Sequence, residues 1–273
     1  MPIPHPVNFR DVHGRGLLVR TWVNSVGPFT FAIDTGAGAI LLSQQLASEA
    51  NVAIKRDRGS SISGLSGISA SVHEASISRL AIGDNENVLP GKGLVIVSSG
   101  LPSGVDGVLD PTEAFAPLGY VIDIPRAEIS AFEPRDAPVR LNAPPVDGAV
   151  VQWLREGRSR RPFVRLDSGE RALLDTGSSL GFAIRNRNST SRDQADYVIR
   201  DVGGGSVSAR RVSPTTISIG SLTLRKIPTD VVSGAEADAP LLLGLSALRP
   251  FRLRFDPLHY LIEIGPNKTR RRS

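Results

Sequence analysis

The chain has 273 residues, 32 Lys and Arg against 27 Asp and Glu, and no cysteine. That length suffices for one large domain or for two lobes with separate cores, and the lack of cysteine excludes disulfides and thiolate metal sites while leaving the redox compartment open. The net charge of +5 lies largely in arginine runs at Arg155 to Arg161, Arg210-Arg211 and Arg270 to Arg272; no stacking aromatics are interleaved with them, so they read as solvated linkers and a tail rather than a nucleic-acid surface.

Gly (27) and Pro (20) are frequent and long helical periodicity is absent, which predicts short strands joined by many turns, an all-β chain. Met1-Pro2-Ile3-Pro4-His5-Pro6 lacks the basic start and apolar core of a signal peptide. No apolar run approaches membrane-spanning length. The chain as given is expected to be cytoplasmic, or periplasmic or secreted if a leader has been removed.

Residues 1–16 read as an irregular N-terminal arm. Leu17 to Val23 and Phe29 to Ile33 form a strand pair around the turn Asn24-Ser25-Val26-Gly27-Pro28, and the second strand delivers Asp34-Thr35-Gly36-Ala37-Gly38. Ser43 caps a short helix through Ala50, with Leu46, Ala47 and Ala50 facing inward. Gly64-Leu65-Ser66-Gly67 is a small, glycine-punctuated hairpin tip. Strands follow at Leu80 to Ile82 and Leu94 to Val97. Gly107-Val108-Leu109-Asp110-Pro111 precedes a short helix at Thr112 to Ala116, and a hairpin from Tyr120 to Ile129 closes the unit. Residues 134–161, with four prolines, connect two units, and Val150 to Leu154 is a strand candidate inside the connection.

The second half repeats this order. Phe163 to Leu166 and Arg171 to Leu174 deliver Asp175-Thr176-Gly177-Ser178, which lies 141 positions after the first copy. Gly203, Gly204 and Gly205 form a second glycine-rich tip. Leu241 to Leu245 stands where Gly107 to Asp110 stood, and a hairpin from Phe251 to Ile264 closes the chain. The turn Asp precedes this late apolar element by 76 positions in the first copy and 69 in the second. Matched order and spacing indicate a duplicated unit. The boundaries are an arm at 1–16, a first lobe at 17–133, a connection at 134–161, a second lobe at 162–265 and a basic tail at 266–273.

Apolar-apolar-Asp-Thr-Gly followed by a small residue, with a later apolar-apolar-Gly, resembles the aspartic protease superfamily, and the resemblance covers nearly the whole chain. Leu173-Leu174-Asp175-Thr176-Gly177-Ser178 with Leu242-Leu243-Gly244 fits throughout, and Ala32-Ile33-Asp34-Thr35-Gly36-Ala37 fits as well. The stretch from Val23 to Phe31 is similar to bacterial retropepsin-like proteases that carry two units in one chain. The resemblance implies a bilobed fold of two β-barrel-like lobes related by a pseudo-two-fold axis. It implies catalytic Asp34 and Asp175, supporting turn residues Thr35, Gly36, Ala37, Thr176, Gly177 and Ser178, and hairpin flaps at Gly64 to Gly67 and Gly203 to Gly205 that cover an extended peptide. It also implies that Ser178 donates its hydroxyl to Asp175, where Ala37 has none to offer Asp34, so that the shared proton sits on Asp34. Asp110 departs from the family glycine, and its side chain must fit behind the first turn or shift the backbone. No Tyr occupies the first tip.

Two carboxyls in one site share a proton, so that one acts as base and the other as acid; aspartic proteases are a standard instance of this behaviour. The expected activity is that of an endopeptidase, monomeric, with a peptide or protein substrate and with neither metal nor other cofactor. The four histidines are scattered without ligand spacing. A peptide-binding module of the same fold, weakly active or inactive, is the alternative, and Asp110 and Ala37 are the residues that favour it.

Overall fold

In a computed structural model the chain is described over residues 2–91, 93–157, 159–185, 196–200, 205–235 and 239–266. Each half builds on the same four-strand arrangement. In the first, Val26–Ile33 runs parallel to Gly107–Leu109, which pairs antiparallel with Ile40–Ser43, which runs parallel to Val95–Ser98. In the second, Arg171–Asp175 runs parallel to Leu241–Gly244, then come Phe182–Arg185 antiparallel and Leu222–Ser233 parallel. The duplication predicted from the sequence is therefore a duplication of topology.

Among the described residues the strands form three sheets. The first lobe's nine-stranded sheet ends in the hairpin Ala53–Ser63 with Ser69–Ser76, and the second lobe's eight-stranded sheet carries the long hairpin Ser206–Ile219 with Leu222–Ser233. Neither sheet closes on itself: Arg10–Val12 and Ala53–Ser63 are opposite edges of the first, so the lobes are folded open sheets rather than barrels. The third sheet joins the halves. Its six strands, in order, are Val7–Asn8, Glu128–Phe132, Gly119–Asp123, Phe251–Asp256, Leu261–Pro266 and Ala149–Gln152.

The N-terminal arm is not irregular throughout. Val7–Asn8 pairs with Glu128–Phe132, and Arg10–Val12 pairs with Gly16–Val23. Val7 also packs against Gly83, whose φ of +79° and missing side chain admit it.

Alternation along the Asp-bearing strands separates two apolar layers. Ile33, Leu109, Leu174 and Leu243, each fully buried, belong to one central core that draws on both halves. Burying each such side chain contributes roughly 1.5–3 kcal/mol. Leu173 and Leu242 face the other way, into a cluster beneath the second lobe's hairpin; Leu41 and Val108 do the same in the first. Across the shared sheet Tyr120 stacks on Phe255 at 4.6 Å between ring centroids, and Trp153 meets Phe255 edge-on at 5.9 Å. These contacts join the two halves across the shared sheet.

The helix Gln44–Glu49 is capped by Ser43, whose hydroxyl accepts from the Leu46 N–H at 3.1 Å, and it buries Leu46 and Ala47. The helix Pro111–Ala114 starts one residue earlier than the sequence suggests. Asp110 is its N-cap and Pro111 fills the first helical position, where its missing N–H costs nothing.

Candidate active site

The parallel strand pairs end side by side and present their turns to each other. The Asp34 N–H donates to the Leu109 carbonyl at 3.0 Å, which fixes where the first turn begins. From there the two turns interlock. The Thr35 hydroxyl donates to the Leu174 carbonyl at 2.6 Å and accepts from the Thr176 N–H at 3.1 Å. The Thr176 hydroxyl donates to the Ile33 carbonyl at 3.0 Å and accepts from the Thr35 N–H at 3.2 Å. Both threonines are fully buried, so all four bonds are shielded from water. Each threonine satisfies the backbone of the opposite lobe, and the lobes cannot slide without breaking the set.

This lock sets Asp34 and Asp175 face to face, each carboxyl lying against the glycine of the opposite turn. Each carboxylate is held from its own turn. The Gly36 N–H donates to Asp34 Oδ1 at 2.7 Å. The N–H groups of Gly177 and Ser178 donate to Asp175 Oδ1 at 2.9 and 3.1 Å. Gly36 and Gly177 each face the opposite aspartate. A Cβ on Gly36 would stand 2.8 Å from Asp175 Cγ, and one on Gly177 would overlap the Asp34 carboxyl. Glycine is required here for proximity rather than for its backbone angles.

The pair is electrically unequal. Burial and the repulsion of Asp175 hold the Asp34 carboxyl well above the usual carboxylate range, against the pull of the Gly36 N–H, and Asp110 pushes the same way. Burial raises Asp175 too, but the hydrogen bond from Asp34, the N–H groups of Gly177 and Ser178, and the Arg161 guanidinium oppose the rise. More of the surrounding groups therefore favour the charged form at Asp175 than at Asp34. The resemblance has the Ser178 hydroxyl donate to Asp175, and the structure gives that hydroxyl another partner. The Ser178 hydroxyl accepts from the Leu180 N–H at 3.4 Å, and it is the Ser178 backbone that reaches Asp175.

Asp110 fits behind the first turn as a buried helix cap. It is 1% exposed and accepts from the Gly38 N–H at 2.7 Å, the Thr112 N–H at 2.8 Å and the Glu113 N–H at 3.3 Å. Gly244 stands at the equivalent place opposite Asp175, where a Cβ would lie 2.8 Å from the Ser178 carbonyl oxygen. The second turn is tied instead by the Leu245 N–H, which donates to that carbonyl at 2.7 Å.

Ala37 packs on the first lobe's outer cluster. Gly64, Leu65, Ser66 and Gly67 form the tip of the first hairpin, closed by the Gly67 N–H donating to the Gly64 carbonyl at 3.2 Å. Leu65 reaches across to the second lobe, against the cluster of Phe163, Leu173, Ala183 and Val232. Gly205 lies against this tip, so close to Ser66 and Ile68 that a Cβ would overlap the Ser66 hydroxyl. Gly203 and Gly204 lie outside the described residues.

The arginine runs are not all solvated linker. Arg160 pairs with Glu113 of the other lobe at 3.4 Å, and Arg211 pairs with the buried Asp230 at 2.6 Å. Arg161 stands beside the paired turns, a position the sequence reading missed. Arg270 to Arg272 lie outside the described residues.

Residues 19–100, which hold the first Asp-Thr-Gly turn and the first hairpin tip, match the family model described as gag-polyprotein putative aspartyl protease. No curated protein matches the chain.

Proposed function

We propose, from the chain's place in the aspartic protease superfamily, that it is an aspartic endopeptidase in which Asp34 and Asp175 activate one water between them. The observation that carries this reading is the unequal carboxyl pair held by the reciprocal Thr35 and Thr176 bonds. Anionic Asp175 takes a proton from the water as its oxygen attacks the peptide carbonyl carbon. Protonated Asp34 gives its proton to the carbonyl oxygen, which would otherwise carry the charge. The resulting diol collapses. Asp175 returns the proton it took to the leaving nitrogen, one diol hydroxyl returns a proton to Asp34, and the C–N bond breaks. The pair ends as it began. The peptide binds extended between the lobes, beneath the tip at Gly64 to Gly67 and the tip that includes Gly205, by strand-like main-chain pairing.

Both carboxyls come from one chain, so the site needs no second copy. The test is a peptide-library digest at several pH values with wild type, Asp34→Asn and Asp175→Asn. Each variant should keep its fold and lose nearly all cleavage, and specific activity should stay flat on dilution, as mass action requires of a monomer. Substantial cleavage by either folded variant would defeat the mechanism.

A further inference from the structure

We propose that Arg161 sets the substrate class: it selects peptides that carry an aspartate or glutamate side chain on one side of the scissile bond. This rests on the endopeptidase reading above. In the second lobe Phe163 pairs with Leu173 in the antiparallel register of Ser159–Arg165 with Arg171–Asp175. Continued two residues past the paired segment, that register brings Arg161 level with Asp175, and its guanidinium lies on the Phe163 face. In the first lobe Leu18 pairs with Ala32, and the same step sets Gly16 opposite Asp34. The two positions flanking the carboxyls are thus an arginine on one side and a glycine on the other. The pseudo-symmetry of the fold is broken by a charge at the site itself.

The Arg161 side chain crosses toward the first lobe. Its Cγ and Cδ lie 3.6 Å from where a Cβ on Gly38 would stand. The guanidinium rests over the Phe163 ring at 5.3 Å, and Nε donates to the Ser159 hydroxyl at 3.2 Å. Its backbone is fixed as well, since Trp153 Nε1 donates to the Arg161 carbonyl at 2.8 Å. Yet among the described residues no carboxylate lies within ion-pair distance of it, whereas Arg160, Arg211, Arg249 and Arg252 each have one. A half-buried guanidinium held by stacking and one hydroxyl keeps free donors in a planar fork, which matches a carboxylate. Because it is already held in place, pairing costs little further side-chain entropy. Gly16 offers nothing comparable, so the preference is one-sided.

The experiment compares peptides that are identical except for Glu or Gln at a single position, scanned along both sides of the cleaved bond. Wild type, Arg161→Gln and Arg161→Lys are assayed at one pH. The readout is the Glu/Gln ratio of kcat/KM within each protein, which cancels any effect of the substitution on the carboxyl pair. Wild type should favour Glu by about 5- to 30-fold at positions on one side only. Added salt should reduce the ratio. Arg161→Gln should bring it close to one, and Arg161→Lys should retain part of it. A wild-type ratio of one everywhere, or a uniform loss of rate in Arg161→Gln with the ratio intact, overturns the proposal. Titration calorimetry with a statine-containing peptide in Glu and Gln forms separates this inference from the one beneath it. If the Glu form binds more tightly and Arg161→Gln removes the difference while no peptide is cut, the hydrolytic reading fails and the role of Arg161 stands. If cleavage depends on Asp34 and Asp175 but the ratio is one, only the Arg161 proposal fails. If neither form binds, both are overturned.

Discussion

The buried carboxylate of Asp110 accepts a hydrogen bond from the Gly38 N–H at 2.7 Å, so an acid ties down the end of the first Asp-Thr-Gly turn. It does so directly behind Asp34, because Leu109 is in parallel register with Ile33. Burial and the neighbouring Glu113 raise Asp110 to about 7 against its three N–H donors, and Arg160 faces Glu113 from the other lobe. Above that pH Asp110 is charged and makes it harder for Asp34 to lose the shared proton. Asp110→Asn should therefore move the alkaline limb of the kcat/KM profile downward by roughly 0.5–1 pH unit. An unmoved alkaline limb in a folded, active variant would show that Asp110 serves only as a cap and a tether.

The same group carries a stability signature whose sign is fixed. An unfolded aspartate titrates near 3.9, and native Asp110 near 7. Between these values the native state binds more protons than the unfolded state, so this contribution falls as pH rises through the window and is flat above it. The upper bound is roughly 4 kcal/mol. Urea unfolding of wild type and Asp110→Asn at pH 4.5, 6 and 8 isolates the term. The stability of the Asn variant relative to wild type should improve as pH rises, whatever the cost of the hydrogen bond it loses. A difference that stays constant across the three pH values would rule this out.

The reciprocal threonines yield a prediction about folding rather than chemistry. Thr35→Val keeps the shape of the side chain and removes its hydroxyl. The Leu174 carbonyl and the Thr176 N–H then lose their partners in a site closed to water. Each unsatisfied buried group costs about 1–3 kcal/mol, so the loss should be about 2–5 kcal/mol by denaturant unfolding. Thr35→Ser should recover most of it. Equal loss in the Ser and Val variants would mean that methyl packing, not the interlobe bonds, is what Thr35 contributes.

How much of this was legible in the residues depended on range. A strand that ends in Asp-Thr-Gly is a local signal, and it occurs twice. The Ser43 cap and the hairpin tip at Gly64 to Gly67 are local as well. The arm was illegible because Val7 and Asn8 form only a two-residue strand, too short for any periodicity, and its partners at Ile129 and Glu128 lie more than a hundred positions away. The closing hairpins were visible one at a time. Their union in one sheet, with Tyr120 opposite Phe255, was not. Asp110 stood out as a departure from a glycine, and Asp110-Pro111-Thr112-Glu113 carries a helix-start signature that explains it. Arg161 gave no signal at all. Within a run of arginines nothing local distinguishes the one whose neighbours, Gly38 and Asp175, come from two different turns.

Ser178 is where sequence and structure predict opposite experimental results. Family resemblance assigns its hydroxyl to Asp175, and removing such a bond would raise the acidic limb of the kcat/KM profile by about one unit. In the structure the hydroxyl accepts from Leu180, and the bond to Asp175 comes from the Ser178 N–H, which alanine retains. Ser178→Ala should therefore leave the acidic limb in place to within about 0.3 unit, with at most a small loss of stability from the freed Leu180 N–H. Arg161→Gln provides the contrast. It removes a cation whose field favours charged Asp175, so the anionic form becomes harder to reach and the acidic limb should move upward. Both profiles come from kcat/KM measured against pH on one neutral substrate. A rise of about a unit in Ser178→Ala would return the hydroxyl to Asp175, and a limb unmoved in Arg161→Gln would remove the guanidinium from the forces that set the charge of the pair.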